Sequence, residues 1–373
     1  MARISRPRLH ALDGLRGLAA LAVVVLHVWM YTDAFYPKPG RTDVLDRVIG
    51  EFRIAVVLFF VLSGFLLAQP WVNGRSPSLG RYAVRRFARI APAYWAAVLG
   101  TFALLHGTGH GREVAASELP KFMVFLANVF PQTRNQLDPP LWSLHIEVSF
   151  YVVLPLIGLA LLRAKRPLLV PVTLLLAGLA WTTAGTIHAW PPETLWTLPS
   201  YLGAFAAGIA AAVASKSYTG VRPRYTRRMQ HVHITGIAVL GTVLVVANGW
   251  WHSRGGTGTP GHAIGDLPAA IGFGAVVAAI AARPGRLLAS PPMRALGTLS
   301  FGVYLWHMPV LYGLELHDRF PERFVPAMEL VLPLTFALAT ASWFLIEKPA
   351  IALSGRALAK RSPAREPLAA AEA

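Results

Sequence analysis

The sequence predicts an all-α protein that crosses a lipid membrane about ten times, and three observations support this fold class. Of the 373 residues, 54% are hydrophobic and only 14% are charged, with a mean hydropathy of +0.48. Soluble domains carry about 25% charged residues, so these charges are too few to cover a water-exposed surface. The apolar residues form separate runs of the length, about 20 residues, that spans a bilayer as a helix. The basic residues gather in alternate loops between those runs.

Ten segments have the length and composition of a spanning helix. They are 17–36, 52–70, 88–106, 142–162, 167–187, 196–214, 232–250, 265–282, 298–314 and 327–347. A further apolar stretch, 118–130, is too short to span, so we expect it to lie at the interface or to re-enter the membrane.

The positions of the basic residues predict the orientation. Of the 35 Lys and Arg residues, 24 lie in the termini and the loops of one side and 9 in the loops of the other. The positive-inside rule therefore places both termini in the cytoplasm. We expect residues 1–350 to form one transmembrane domain and residues 351–373 to be a basic, disordered cytoplasmic tail.

Composition also excludes several kinds of site. The net charge of +17 is divided among short loops, so it does not form the single basic face of a nucleic-acid-binding protein. The chain has no cysteine, which excludes disulfides and thiolate chemistry. The loop histidines lack the spacing of metal ligands, so no metal is expected.

The first span holds two ionisable residues, which are costly to place within a membrane unless they have a role. Arg16 and His27 are eleven residues apart, which places them on one helix face about 16 Å apart. Arg16 is expected near the cytoplasmic headgroups and His27 near the middle of the bilayer. A histidine there can act as a general base. The alternative is a histidine that only hydrogen-bonds a neighbouring helix.

A second group, Arg86 and Arg89, lies where a loop enters the third span. Residues at i and i+3 share a helix face, and paired guanidinium groups suit phosphate oxygens. The alternative is that both arginines only anchor the helix at the cytoplasmic surface.

The fourth span contains an acid in an apolar stretch. Ser143, Glu147 and Tyr151 recur every four residues, so they share one face. A carboxylate there is costly unless it has a role, so we expect Glu147 to be functional or part of a network. His145 points elsewhere and is expected to pack.

The ninth span carries a third polar face, formed by Ser300, Tyr304 and His307. Trp306 and Tyr304 alone would be ordinary interface residues, but a histidine is not. Near the end of the last span, we expect Glu347 to form an exposed ion pair with Lys348.

Together these places resemble acyltransferase family 3, the membrane-bound bacterial O-acyltransferases that modify sugars and related hydroxyls. The resemblance runs from Leu12 to Pro349 and depends on an ordered set of motifs. In order, they are Asp-Gly-Leu-Arg-Gly with Arg-x10-His, Phe-Phe-Val-Leu-Ser-Gly-Phe at 59–65, Arg-x-x-Arg, Trp-Ser-Leu-x-x-Glu, Tyr-Leu-Trp-His-x-Pro and Glu-Lys-Pro. The chain departs from the usual Glu-Glu-Gln run, because Val148 and Ser149 follow Glu147.

The resemblance implies the site. Arg16, His27, Arg86 and Arg89 match the family residues tied to activity. It implies an acyl-CoA donor, most simply acetyl-CoA, whose phosphates are held by the arginines. His27 would be the base, oriented by a carboxylate such as Glu147, while Ser143 could instead carry a covalent relay. Tyr304, Trp306 and His307 would lie near the site as substrate-contacting or structural residues.

The acceptor stays open at this stage. It is a small-molecule or lipid-linked hydroxyl, either on an envelope glycan or on a secondary metabolite such as a macrolide. We expect a member without the fused extracytoplasmic hydrolase-like (SGNH) domain. A proton-coupled transporter is the rival from another class, since it too would carry intramembrane His and Glu. The sequence says nothing about the oligomeric state.

Overall fold

The structure is a computed structural model that describes residues 6–32, 44–220, 227–252 and 265–360. Every regular element in these ranges is helical, which confirms the all-α prediction. The helices in chain order are α1 (Arg6–Tyr31), α2 (Val44–Gly50), α3 (Ala55–Val72), α4 (Leu79–Leu105), α5 (Leu119–Met123), α6 (Trp142–Arg163), α7 (Leu169–Ile187), α8 (Pro192–Leu195), α9 (Leu198–Gly220), α10 (Arg227–His252), α11 (Leu267–Ala282), α12 (Pro291–Leu316), α13 (Phe324–Ser342) and α14 (Lys348–Lys360). Single 3-10 turns cover Glu51–Ile54, Ala116–Glu118, Ala127–Val129 and Pro139–Leu141, and a π-helical turn, Trp343–Glu347, joins α13 to α14.

Each of the ten predicted spans overlaps a helix, and nine of these helices have 18 residues or more. Within the described residues, eight helical stretches are long and apolar enough to cross a membrane. The two others are α11, with 16 residues, and α12, with 26. Most of α12 is buried among other helices, so it needs no apolar surface toward lipid. The count of ten spans and the cytoplasmic termini stay predictions.

Several helices start before the predicted residue, and the differences are largest for α1 and α4. Helix α1 begins at Arg6 rather than near residue 17, and α4 begins at Leu79 rather than near residue 88. The charged residues near these two starts are typical of loops, but here the helical turns continue past the apolar core and carry basic side chains at their ends. As a result, Arg16, Arg86 and Arg89 all lie on helices and have fixed directions.

The predicted tail also differs. Helix α14 continues to Lys360, so the prediction of a disordered tail is wrong over residues 351–360. Residues 361–373, and residues 33–36 of the predicted first span, lie outside the described residues.

Close helix packing brings the polar faces together. Helix α1 packs along α12, where a Cβ added to Gly297 would collide with the backbone carbonyl of Asp13. Helix α3 packs along α9 in the same way, because a Cβ on Gly208 would collide with the carbonyl of Val61. Small residues permit such contacts between membrane helices. The α1–α12 contact places the first and ninth predicted spans side by side.

Candidate active site

A polar cavity of about 130 Å³ lies among α1, α3, α4, α6 and α12. The polar side chains on its wall are Arg16, Ser63, Arg86, Arg89, Ser143, Glu147, Tyr151, Ser300 and Tyr304. Six of the nine predicted site residues are therefore brought to one wall from four different helices. The exceptions are His27, Trp306 and His307.

Three guanidinium groups line this cavity, and each has different neighbours. Arg16 forms an ion pair with Asp13 at 3.2 Å on the same helix. Arg86 lies 5.9 Å from the centre of the Tyr151 ring, and its buried Nε has no hydrogen-bond partner among the residues that the structure describes. Arg89 interacts electrostatically with Glu347 of the π-helical turn and with the two other arginines. Like charges this close favour an anionic ligand.

Glu147 belongs to a hydrogen-bonded group on the same wall. Ser63 and Tyr151 both donate to its Oε1, at 2.7 Å and 2.6 Å. Neither hydrogen bond involves His27, so the expectation that Glu147 orients His27 is wrong. The reason is the fold: α6 packs against α3, whereas His27 on α1 faces α12.

The partner of His27 is another histidine. His307, which is completely buried, has its Nε2 3.1 Å from Nδ1 of His27. Nδ1 of His307 lies 2.7 Å from the carbonyl oxygen of Tyr304. Nδ1 of His27 also lies 3.0 Å from the carbonyl oxygen of Val23. The first and ninth predicted spans thus meet at their histidines.

These contacts fix the tautomers of two neutral rings. A carbonyl only accepts, so Nδ1 of His307 carries a proton and its Nε2 accepts. Nδ1 of His27 then donates to that Nε2 and to Val23. Nε2 of His27 keeps its lone pair and has no hydrogen-bond partner among the described residues. This is the atom that a general base requires.

Tyr304 links the cavity to the histidine pair. Its hydroxyl lies on the cavity wall, 2.7 Å from Ser143 Oγ, and donates to the carbonyl oxygen of Pro140 at 2.7 Å. Its ring centre is 5.9 Å from that of His307. Ser143 Oγ also donates to Pro140 at 3.1 Å, so the described contacts of this hydroxyl include no base that would activate it.

Trp306 and His145 lie away from this cavity. The Trp306 ring faces α4, 3.3 Å from where a Cβ on Gly100 would lie. His145 Nδ1 is 2.6 Å from the carbonyl oxygen of Phe125, which agrees with a packing role.

Sequence reasoning missed three polar residues of this region. Ser63 lies in the Phe-Phe-Val-Leu-Ser-Gly-Phe motif, and an isolated serine gives no signal of its partner. Asp138 is 2% exposed, and neither carboxylate oxygen has a hydrogen-bond partner within the described part of the chain. Burial raises the pKa of this carboxyl well above its usual range. Glu347 is 1% exposed rather than paired with Lys348 at the surface, so that expectation is wrong. An intramembrane acid is a signal of function. The direction of the Glu347 side chain, however, depends on the π-helical turn, which the sequence does not predict.

Comparisons with known proteins point to one family. A family model described as an acyltransferase domain, of acyltransferase family 3, matches residues 9–347. Nodulation protein 10 of Rhizobium leguminosarum biovar viciae is 27% identical over 94% of this chain and 95% of its own length. Peptidoglycan O-acetyltransferase OatA of Listeria monocytogenes is 25% identical over 93% of this chain, which spans 56% of that relative. Acyltransferase MdmB of Streptomyces mycarofaciens is 32% identical over 40% of this chain and 39% of its own length. No solved structure matches the chain.

The apolar helices and the bacterial relatives define a multi-pass bacterial membrane protein, and its arginine-lined cavity is an enzyme-like site. The family match covers nearly all of the chain, and the O-acetyltransferase relatives decide between enzyme and transporter. The chain belongs to acyltransferase family 3 and is an O-acyltransferase.

Proposed function

We propose that this enzyme transfers an acyl group, most simply acetyl, from a cytoplasmic acyl-CoA to a hydroxyl of a sugar, glycolipid or small metabolite. The observation that carries the proposal is that an arginine-lined cavity and a histidine pair lie next to each other. Three arginines line one cavity, and Tyr304 on its wall contacts a histidine pair with a free Nε2. The first feature suits an anionic donor, and the second suits removal of a proton from an acceptor.

The donor end of the reaction depends on the arginines. Arg86 and Arg89 lie one turn apart on α4, with Arg16 opposite them on α1. Guanidinium groups bind phosphate oxygens through two parallel hydrogen bonds. The narrow cavity beyond them would take the pantetheine arm, with the thioester toward Tyr304.

The chemical step depends on His27. Its Nε2 takes the proton of the acceptor hydroxyl as the oxygen attacks the thioester carbonyl. The tetrahedral intermediate collapses, the carbon–sulfur bond breaks, and the imidazolium returns the proton to the thiolate. His307 holds the Nδ1 proton of His27 and so positions the ring. Direct transfer is favoured over a Ser143 relay, because the contacts of Ser143 are Tyr304 and Pro140.

The acceptor is a hydroxyl on an envelope carbohydrate, or alternatively on an antibiotic or similar metabolite. One relative is named a peptidoglycan O-acetyltransferase, which supports the carbohydrate acceptor. Mass spectrometry of envelope sugars and extracted metabolites from a deletion strain tests both kinds of acceptor together. One species should lose the mass of the acyl group.

Donor binding is tested with Arg86→Ala and Arg89→Ala in the purified enzyme. Loss of a charge-assisted phosphate contact should raise the KM for acetyl-CoA about ten- to a hundredfold. Lysine should restore it only in part, since an ammonium cannot form the paired hydrogen bonds. Arg166→Ala, at an exposed position on another loop, should leave KM unchanged. Normal KM and rate in both Arg86→Ala and Arg89→Ala would mean that the pair only anchors α4.

A further inference from the structure

A small polar cavity lies where the chain enters α6. Its volume is about 20 Å³, and because a single water needs about 10–15 Å³, it has room for one body of that size. Its polar wall includes the side chains of Asn128, Thr133, Gln136 and Asp138. Among the described residues, none lines both this space and the arginine-lined cavity of the candidate active site. We call it the α6 cavity.

Four oxygen atoms of this wall are buried and have no hydrogen-bond partner in the described part of the chain. They are Oδ1 and Oδ2 of Asp138, Oδ1 of Asn128 and Oε1 of Gln136. Asp138 and Asn128 are only 2% and 4% exposed. A buried acceptor without a partner is costly. These oxygens therefore require a ligand that supplies positive charge or hydrogen-bond donors.

Three donors on the same wall are already in use. The hydroxyls of Tyr94 and Thr133 each donate to a backbone carbonyl, at 2.9 Å and 2.6 Å. Nδ2 of Asn128 donates to the carbonyl oxygen of Trp196, and this bond fixes which end of the amide is the oxygen. The wall thus presents acceptors whose neighbouring donors are committed elsewhere.

Asp138 is also an acid without a basic partner. No ion pair among the described residues includes it. Arg112 and Arg134, the two arginines of the segment between α4 and α6, bind instead the carbonyl oxygen of Asn135 and the carboxylate of Glu193. A buried carboxylate is stable only when it is paired with a cation or protonated.

We propose that the α6 cavity binds one small monovalent cation, such as Na⁺, between the carboxylate of Asp138 and the amide oxygens of Asn128 and Gln136. Hard cations take carboxylate and amide oxygens as ligands. One positive charge balances one carboxylate, whereas a divalent ion would leave a net charge buried. A single water donates only two hydrogen bonds and would leave two of the four oxygens without a partner. The site involves neither the acyl donor nor the acceptor, so it goes beyond the proposed function.

The backbone around the α6 cavity is held in an uncommon conformation. Phe125 and Asn135, which line the cavity, and Leu137, which precedes Asp138, have φ angles of 62°, 59° and 60°. This left-handed region is costly for residues other than glycine, and it persists only where the surroundings fix it. A cation that ties Asn128 to Asp138 provides such a constraint.

The cation would act on the active site through one turn. Asp138 directly precedes the 3-10 turn Pro139–Leu141, and its carbonyl oxygen accepts from the N–H of Leu141 at 3.0 Å. In the same turn, the carbonyl oxygen of Pro140 accepts from the hydroxyl of Tyr304 at 2.7 Å. Binding in the α6 cavity therefore holds the turn against which Tyr304 is positioned.

The test measures the melting temperature, Tm, of the purified protein in NaCl, KCl and N-methyl-D-glucamine chloride at equal ionic strength. The organic cation is too large for the cavity. A ligand that binds only the folded state stabilises it with the logarithm of its concentration. The Tm should therefore rise with Na⁺ or K⁺ by about 2 °C for each tenfold increase. Asp138→Asn, which removes the charge and keeps the shape, should abolish this dependence. Asp318→Asn, the same change at an exposed position, is the matched control and should retain it.

Gln136→Glu tests the charge argument by a gain of binding. With two carboxylates the cavity should prefer a divalent ion, so CaCl₂ should raise the Tm of this variant more than that of the wild type. A wild-type Tm that is equal in all three salts would overturn the inference and mean that Asp138 is protonated beside one water. A salt dependence that survives in Asp138→Asn, or a Ca²⁺ response of Gln136→Glu no larger than the wild type's, would also overturn it. If Asp138→Asn failed to fold, the wild type and Gln136→Glu would still decide.

Discussion

At the scale of single residues, two histidines share the proton chemistry unequally. His27 offers Nε2, whereas both nitrogens of His307 have partners. His27→Gln keeps a similar shape and a hydrogen bond but removes the base. We expect transfer to slow by a factor of about 10² to 10⁴ with CoA affinity near normal, because the phosphates bind elsewhere. Single-turnover transfer and CoA titration measure the two quantities.

His307 provides the comparison for that variant. In His307→Gln the Nδ1 proton of His27 still has the Val23 carbonyl as acceptor, so we expect a smaller loss than in His27→Gln. His317→Gln, at an exposed position, should have no effect. If His27→Gln kept more than about a tenth of the normal rate, above the general-base range, the base would lie elsewhere.

At the scale of elements, the π-helical turn sets the direction of the Glu347 side chain. Within Trp343–Glu347 the only buried side chain is the carboxylate, whereas Phe344 and Leu345 are 55% and 76% exposed. Such wide turns are frequent at functional sites. The turn packs against α4, and the attraction of Glu347 for Arg89 offsets part of the repulsion that Arg16 and Arg86 exert on Arg89.

Glu347→Gln should therefore raise the Kd of CoA about five- to twentyfold, because Arg89 turns away from its like charges. The effect should disappear in an Arg89→Ala background, and Glu347→Asp should be the milder change because it keeps the charge. A packing role would give the opposite order, with glutamine tolerated and aspartate not. Glu329→Gln, at an exposed position of α13, is the control, and calorimetric CoA titration is the measurement.

How far the sequence predicts this molecule depends on the range of each interaction. Helical periodicity placed Ser143, Glu147 and Tyr151 on one face, and they do line one wall. Periodicity within one helix says nothing about which other helix supplies a partner. The sequence therefore does not predict the contact between Ser63 and Glu147, and it assigns His27 to Glu147 instead of His307. It also assumes 3.6 residues per turn, and the π-helical turn breaks that assumption before Glu347.

At the scale of the whole molecule, topology and chemistry constrain each other. Acyl-CoA is a cytoplasmic metabolite, so the proposed donor requires the first half of α4, with Arg86 and Arg89, to lie toward the cytoplasm. The distribution of 24 against 9 basic residues predicts the same side independently. Since α4 then runs outward, the segment of short turns between α4 and α6 lies on the extracytoplasmic side, and an even number of spans returns the C-terminus to the cytoplasm.

Alkaline phosphatase, which is active only outside the cytoplasm, tests this arrangement. Fused after Arg361 or after Lys165 it should be silent, and fused after Gly111 it should be active. The three fusions sample both sides of the membrane, so expression failure alone cannot produce the expected pattern. Activity after Arg361 would require an odd number of spans. Activity after Lys165 and silence after Gly111 would invert the bundle and place the arginines outside, where they could not meet cytoplasmic acyl-CoA.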